Sequence, residues 1–136
     1  DRRFDILLID AYSSDAVPVH LTTREAMELY VDRVTENGIV IFHISNNYYD
    51  IHKPLARSAS ALGLAAWRRH YPGNRKADPT DTPSTVMVIA RTAEDFGALA
   101  DDPRWSPIAS DGGPVWTDDH ANLLSILKSG KAAPAQ

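Results

Sequence analysis

The sequence predicts an α/β domain on a mostly parallel sheet, and three observations carry that prediction. Ile6-Leu7-Leu8-Ile9 and Ile39-Val40-Ile41-Phe42-His43-Ile44 are apolar almost without alternation, as in strands covered on both faces by helices. Stretches with helical spacing of apolar residues alternate with these runs, which reads as right-handed βαβ crossovers. The length, 136 residues, suits one domain of ordinary size.

The first strand, Phe4 to Asp10, closes on a carboxylate. A buried strand in first place needs neighbours on both sides, supplied by later strands or by a longer protein of which this is a piece. After a loop, Ala11 to Leu21, a helix opens with Thr22 as N-cap and Glu25 three residues on, the spacing of a capping box. Met27, Tyr30, Val31 and Val34 form its inward stripe, and Asn37-Gly38 ends it, glycine taking positive φ at the C-cap. Ile39 to Ile44 is the second strand, rich in β-branched residues, followed by the loop Ser45 to Asp50.

The second helix, Ile51 to Leu62, carries the stripe Ile51, Leu55, Ala59 and Leu62 and stops at Gly63. It accommodates Pro54 because that residue falls in the first turn. Leu64 to His70 is a partly polar strand toward an edge, and Tyr71 to Pro83 is a surface loop with three prolines. Thr85 to Ala90 is a further strand. Thr92 to Leu99 has a weak helical pattern weakened by Gly97, Asp101 to Trp116 is irregular, and Asp119 to Leu127 reads as a short helix or extended segment. One domain therefore spans residues 1–127, and residues 128–136 are expected to be a disordered tail.

Composition narrows the function classes. The absence of cysteine excludes disulfides, a thiolate nucleophile and a cysteine zinc site. Fourteen basic against eighteen acidic residues, a net charge of −4, argues against a nucleic-acid partner. No stretch approaches the roughly 18 apolar residues of a membrane span, so no membrane contact by this segment is expected. His20, His43, His52, His70 and His120 form no HExxH-type ligand pair, so no metal is expected. His43, inside an apolar strand, reads as a neutral core histidine. Ser13-Ser14 lacks the flanking glycines of a nucleophile elbow. Neither GxGxxG nor GxxxxGK[ST] occurs, so a cofactor cradle is not in this chain.

Ligands of parallel sheets gather at the carboxyl ends of the strands, which directs attention to Asp10 and to Asp15 five residues on. Such carboxylates either fix the turn or face a crevice, where one can hold a charged amine while the other takes its proton. A second acidic cluster, Trp116-Thr117-Asp118-Asp119-His120, either caps a terminal helix or closes over the same crevice.

The stretch Phe4-Asp5-Ile6-Leu7-Leu8-Ile9-Asp10-Ala11-Tyr12-Ser13-Ser14-Asp15-Ala16-Val17-Pro18-Val19-His20-Leu21-Thr22-Thr23-Arg24-Glu25 resembles the second half of spermidine synthase-like proteins. Those are polyamine aminopropyltransferases on the class I S-adenosylmethionine-dependent methyltransferase fold. His43-Ile44-Ser45-Asn46-Asn47-Tyr48 and Trp116-Thr117-Asp118-Asp119-His120-Ala121-Asn122-Leu123-Leu124 resemble further signatures of the bacterial branch that often follows a membrane region.

The resemblance implies the C-terminal half of that Rossmann-like fold, strands four to seven, mostly parallel with one antiparallel strand. Phe4 to Asp10 would be the fourth strand, Ile39 to Ile44 the fifth, Leu64 to His70 the sixth, and Thr85 to Ala90 the seventh, antiparallel between the fifth and sixth. The first three strands, with the glycine-rich cofactor loop, would lie upstream. It implies aminopropyl transfer from decarboxylated S-adenosylmethionine to a polyamine such as putrescine, with the isolated segment inactive. The alternatives are an S-adenosylmethionine-dependent methyltransferase and a non-catalytic polyamine-sensing or assembly domain. Asp10 and Asp15 would be catalytic, Tyr12, Ser13, Ser14, Asp118 and Asp119 would bind substrate, and Asp10 with Ala11 would meet the donor. Family members have two serines directly after the first aspartate and proline after the second, whereas here Ala11-Tyr12 intervene and Ala16 follows. A homodimer through the exposed sheet edge is expected, as is a cytoplasmic location, either free or as the cytoplasmic domain of a membrane protein.

Overall fold

A computed structural model describes residues 2–12 and 16–130. In chain order the elements are β1 (Phe4–Ile9), α1 (Arg24–Arg33), β2 (Val34–His43), α2 (His52–Ala61), β3 (Ala65–Tyr71), β4 (Ser84–Ala90) and the two-residue β5 (Ser106–Pro107). Short 3-10 turns lie at Val19–Leu21, Glu94–Asp101 and Leu123–Ile126.

The sheet corrects the expected fold class. Its order is β1-β2-β4-β3-β5, and only β1 and β2 pair in parallel. β4 lies between β2 and β3, antiparallel to both, and β5 is antiparallel to β3. The described sheet is thus mostly antiparallel, not the mostly parallel Rossmann-like, methyltransferase-type sheet expected from the sequence. The cause is the loop 72–83, which turns the chain back so that β4 zips along all of β3, from Tyr71 opposite Ser84 to Ala65 opposite Ala90. The other edge of β4 then takes β2, with Val40 opposite Ile89 and His43 opposite Val86. Apolar runs in the sequence report burial and say nothing of strand direction.

Alternation along the strands sends the two sets of side chains to different cores. Val40, Phe42 and Ile44 with Met87 and Ile89 pack under α1 and α2 against Met27, Leu55 and Ala59. On the other face Ile39, Ile41, Val88 and Ala90 are covered by Phe96, whose ring lies 5.5 Å from that of Trp67. That cover stops short of β1. Leu7 and Ile9 reach the helix-side core, but Ile6 and Leu8 are 60% and 59% exposed, so the first strand is not covered on both faces as expected. Its outer edge pairs with no described strand.

α2 follows the expectation closely. Ile51, Leu55 and Ala59 are fully buried, Pro54 sits in the first turn, and Gly63 ends the helix at φ +69°. α1 differs at both ends. Its N-cap is Thr23, whose Oγ1 accepts from the Ala26 N–H at 3.3 Å, while Thr22 donates to the Val19 carbonyl. It also ends at Arg33, so Val34 belongs to β2 rather than to the helix stripe.

Gly38 is accordingly not a positive-φ cap. It is needed for close approach: a Cβ there would stand 2.8 Å from Val34 Cβ and 3.0 Å from the Phe4 carbonyl. Gly38→Ala is expected to cost about 1–3 kcal/mol through overpacking at the start of the β1–β2 ladder, read as a lower urea midpoint at unchanged slope.

Candidate functional site

Parallel pairing brings the carboxyl ends of β1 and β2 to one rim. Ile9 pairs with Phe42, so Asp10 and His43 follow as neighbours, and the Asp10 Oδ1 to His43 Nδ1 distance is 2.8 Å. Antiparallel β4 delivers its first residues to the same rim. His43 Nε2 is 2.9 Å from Ser45 Oγ and 3.3 Å from Ser84 Oγ, and Ser45 Oγ accepts from the Thr85 N–H at 3.0 Å. A carboxylate only accepts, so Nδ1 donates to Asp10 and Nε2 keeps its lone pair for a hydroxyl or amine proton. The side chains of Asp10 and His43 are 63% and 39% exposed, open to an incoming molecule.

His43 is therefore not the core residue expected from its apolar strand. The signal was present in the pleat: Val40, Phe42 and Ile44 share the helix face, so His43 must lie on the other. Ser45, two residues on, shares that side. Ser84 and Thr85 reach the rim because β4 enters antiparallel between β2 and β3, the place the resemblance implied for Thr85 to Ala90, but their part in the site was not among the expected residues.

Ala11 is exposed beside Asp10. Tyr12 is buried, and its hydroxyl donates to the Leu21 carbonyl at 3.1 Å, an acceptor shared with Tyr30. Burial, with Tyr30 adding, pushes the Tyr12 phenol far above its ordinary value, so it stays a neutral donor that ties the loop to the turn before α1. Ser13, Ser14 and Asp15 lie outside the described residues.

Asp118 docks on the first turn of α1. Its Oδ1 accepts from Thr23 Oγ1 at 2.8 Å, His20 Nδ1 is 3.9 Å away, and its N–H donates to Glu25 Oε2 at 3.2 Å. Glu25, expected to return to the helix cap, thus holds the chain after Trp116, whose carbonyl accepts from the Arg24 N–H at 2.8 Å. Asp119 is exposed. The described contacts of Asp118 lie at α1, not at the Asp10 rim.

No family model matches the chain, and no curated protein does. Among the described residues no group of three histidine, cysteine or acidic side chains could hold a metal, and no helix is long and apolar enough to cross a membrane.

Next to the rim lies a groove walled by Asn46, His52, Arg68, His70 and Lys128. Burial, and then the Arg68 guanidinium, lower the His52 pKa from 6.5 to about 4. The folded chain thus keeps His52 neutral where the unfolded chain takes up a proton. Stability should fall as pH drops from 6.5 to 4. His52→Asn removes that part of the acid sensitivity, visible as a shallower decline of Tm across the same interval. An identical decline in both proteins would rule His52 out as a source.

Proposed function

We propose that the protein containing this chain transfers an aminopropyl group from decarboxylated S-adenosylmethionine to an amine, and that Asp10 and His43 take up the amine proton. The observation that carries this reading is the Asp10–His43 hydrogen bond at an open rim, with Nε2 turned to hydroxyls rather than to the core. A protonated amine cannot attack, because its lone pair is occupied. A carboxylate-held imidazole accepts one proton and disperses the charge that results.

The donor supplies an alkyl carbon activated by a sulfonium. Asp10 and Ala11, both exposed, would meet it, as the resemblance implies. The amine nitrogen bonds to that carbon, the carbon–sulfur bond breaks with its electron pair going to sulfur, and the N–H proton passes to the imidazole. Holding the amine beside Nε2 makes the attack effectively unimolecular.

The test incubates the complete protein with decarboxylated S-adenosylmethionine and putrescine and follows release of the thioether product. Turnover with that donor, and not with S-adenosylmethionine, is the expected result. Turnover with S-adenosylmethionine alone would replace aminopropyl by methyl transfer, and turnover with neither would reject the reading.

A second reading has one observation in its favour. Ser45 Oγ, His43 Nε2 and Nδ1, and Asp10 Oδ1 follow in the order nucleophile, base and orienting carboxylate. Covalent labelling of Ser45 by a fluorophosphonate would favour acyl transfer at this rim.

A further inference from the structure

The groove beside the rim has a charge pattern that amine transfer does not use. Two cavities of about 270 and 610 Å³ share Asn46, His70, Thr85 and Lys128 as walls. Their permanently charged lining is one-sided: Arg68, Arg75 and Lys128 face a single carboxylate, Asp50, which Lys53 already holds at 3.0 Å. The larger volume falls in the range of small-molecule sites.

The side chains of Arg68 and Arg75 form no hydrogen bond or ion pair with any described residue. Elsewhere in the chain Arg3, Arg24, Arg57 and Arg104 each hold a carboxylate, and Arg91 donates to the carbonyls of Val31, Thr35 and Glu36. Arg68 is half-buried on β3, so its five N–H donors are partly withdrawn from water without a protein acceptor in return. Lys128 donates to the Asn46 carbonyl at 2.5 Å and retains further donors. Arg68 and Lys128 line the smaller cavity and Arg75 and Lys128 the larger, and an anion held beside either pair offsets the repulsion of like charges.

We propose that this groove binds the oxyanion group, carboxylate or phosphate, of a small ligand, with Arg68 as the bidentate partner and Lys128 and Arg75 as further charges. The site stands on its own residues and does not depend on the Asp10–His43 reading. A free polyamine would be repelled from it. Ser45 belongs both to the wall of the larger cavity and to the hydrogen bonds of His43, so an anion held here lies next to the rim.

The probes are pyrophosphate and citrate, titrated into the chain at fixed ionic strength and followed by calorimetry and amide chemical shifts. Saturable one-to-one binding is expected, and the tighter probe tells phosphate from carboxylate chemistry. Arg68→Gln and Lys128→Gln should each weaken it roughly tenfold, the scale of one charge-assisted contact. Arg75→Gln, in the exposed loop, should weaken it too and carries the test if a β3 variant fails to fold. Asp10→Asn should bind the probe unchanged, which separates this site from the acid–base rim. No saturable binding of either probe, or equal affinity in folded Arg68→Gln, Arg75→Gln and Lys128→Gln, overturns the proposal.

Discussion

Asparagine at position 10 should lower kcat for amine transfer by about 10²–10⁴-fold, the usual worth of a positioned base, with the unfolding midpoint nearly unchanged. The substitution preserves shape and removes the charge that balances an imidazolium on His43. Asp10 is largely exposed and its described side-chain bond is the one to His43, so little folding energy rests on it. His43→Gln should show a comparable loss. The double variant should be hardly worse than either single one, because the two groups act as a unit. Steady-state rates of the complete protein read this directly. Full activity in Asp10→Asn would return Asp10 to the role of fixing a turn.

The largest stability effect is expected at an ion pair on the far side of α2. Arg57 is only 5% exposed, and its Nε and Nη2 donate to Asp111 Oδ1 and Oδ2 at 2.6 and 2.7 Å, with a longer contact to the Pro114 carbonyl. The guanidinium holds the Asp111 carboxyl far below the ordinary carboxylate range. Asp111→Ala leaves a buried guanidinium without its anion and should cost about 2–3 kcal/mol. Arg57→Met should cost distinctly less. Its thioether side chain can fill part of the buried volume, and the stranded Asp111, itself 41% exposed, can turn to water. Urea unfolding of the two variants decides the matter. A larger loss for Arg57→Met would mean that packing of the arginine stem, not its charge, holds residues 111–114 against α2.

That ion pair shows where reading the sequence stops. Arg57 lies on the predicted second helix and Asp111 in a segment read as irregular, and no local spacing links residues 54 positions apart. Gly113 belongs to the same contact, since the Arg57 guanidinium occupies the place a side chain there would fill. The helix itself was legible, because the stripe Ile51, Leu55 and Ala59, the early Pro54 and the closing Gly63 are local signals.

The candidate site divides in the same way. Asp10 at the end of β1 was legible from an apolar run closed by a carboxylate. His43 lies in a run whose apolarity suggests uniform burial, although alternation along one strand already separates two faces. Ser84 and Thr85 reach the rim because β4 runs against β2, a placement that came from the family resemblance and not from any local pattern. The basic groove was marked only in part: Arg68 lies in the short basic run Arg68-Arg69-His70, whereas Arg75 and Lys128 come from a loop and the C-terminal segment and no local pattern joins them to it.

Apolar runs, caps and breakers act over a few residues, so the centres of the four longer strands and two helices, and Asp10 at the close of the first strand, are legible locally, whereas the boundary at Val34 and the strand β5 are not. Strand order and direction depend on which chain segment fills each sheet edge, a competition among long-range contacts. The mostly antiparallel sheet, the meeting of Asp10 with His43, and the placing of three cations along two adjoining cavities therefore emerge only in three dimensions.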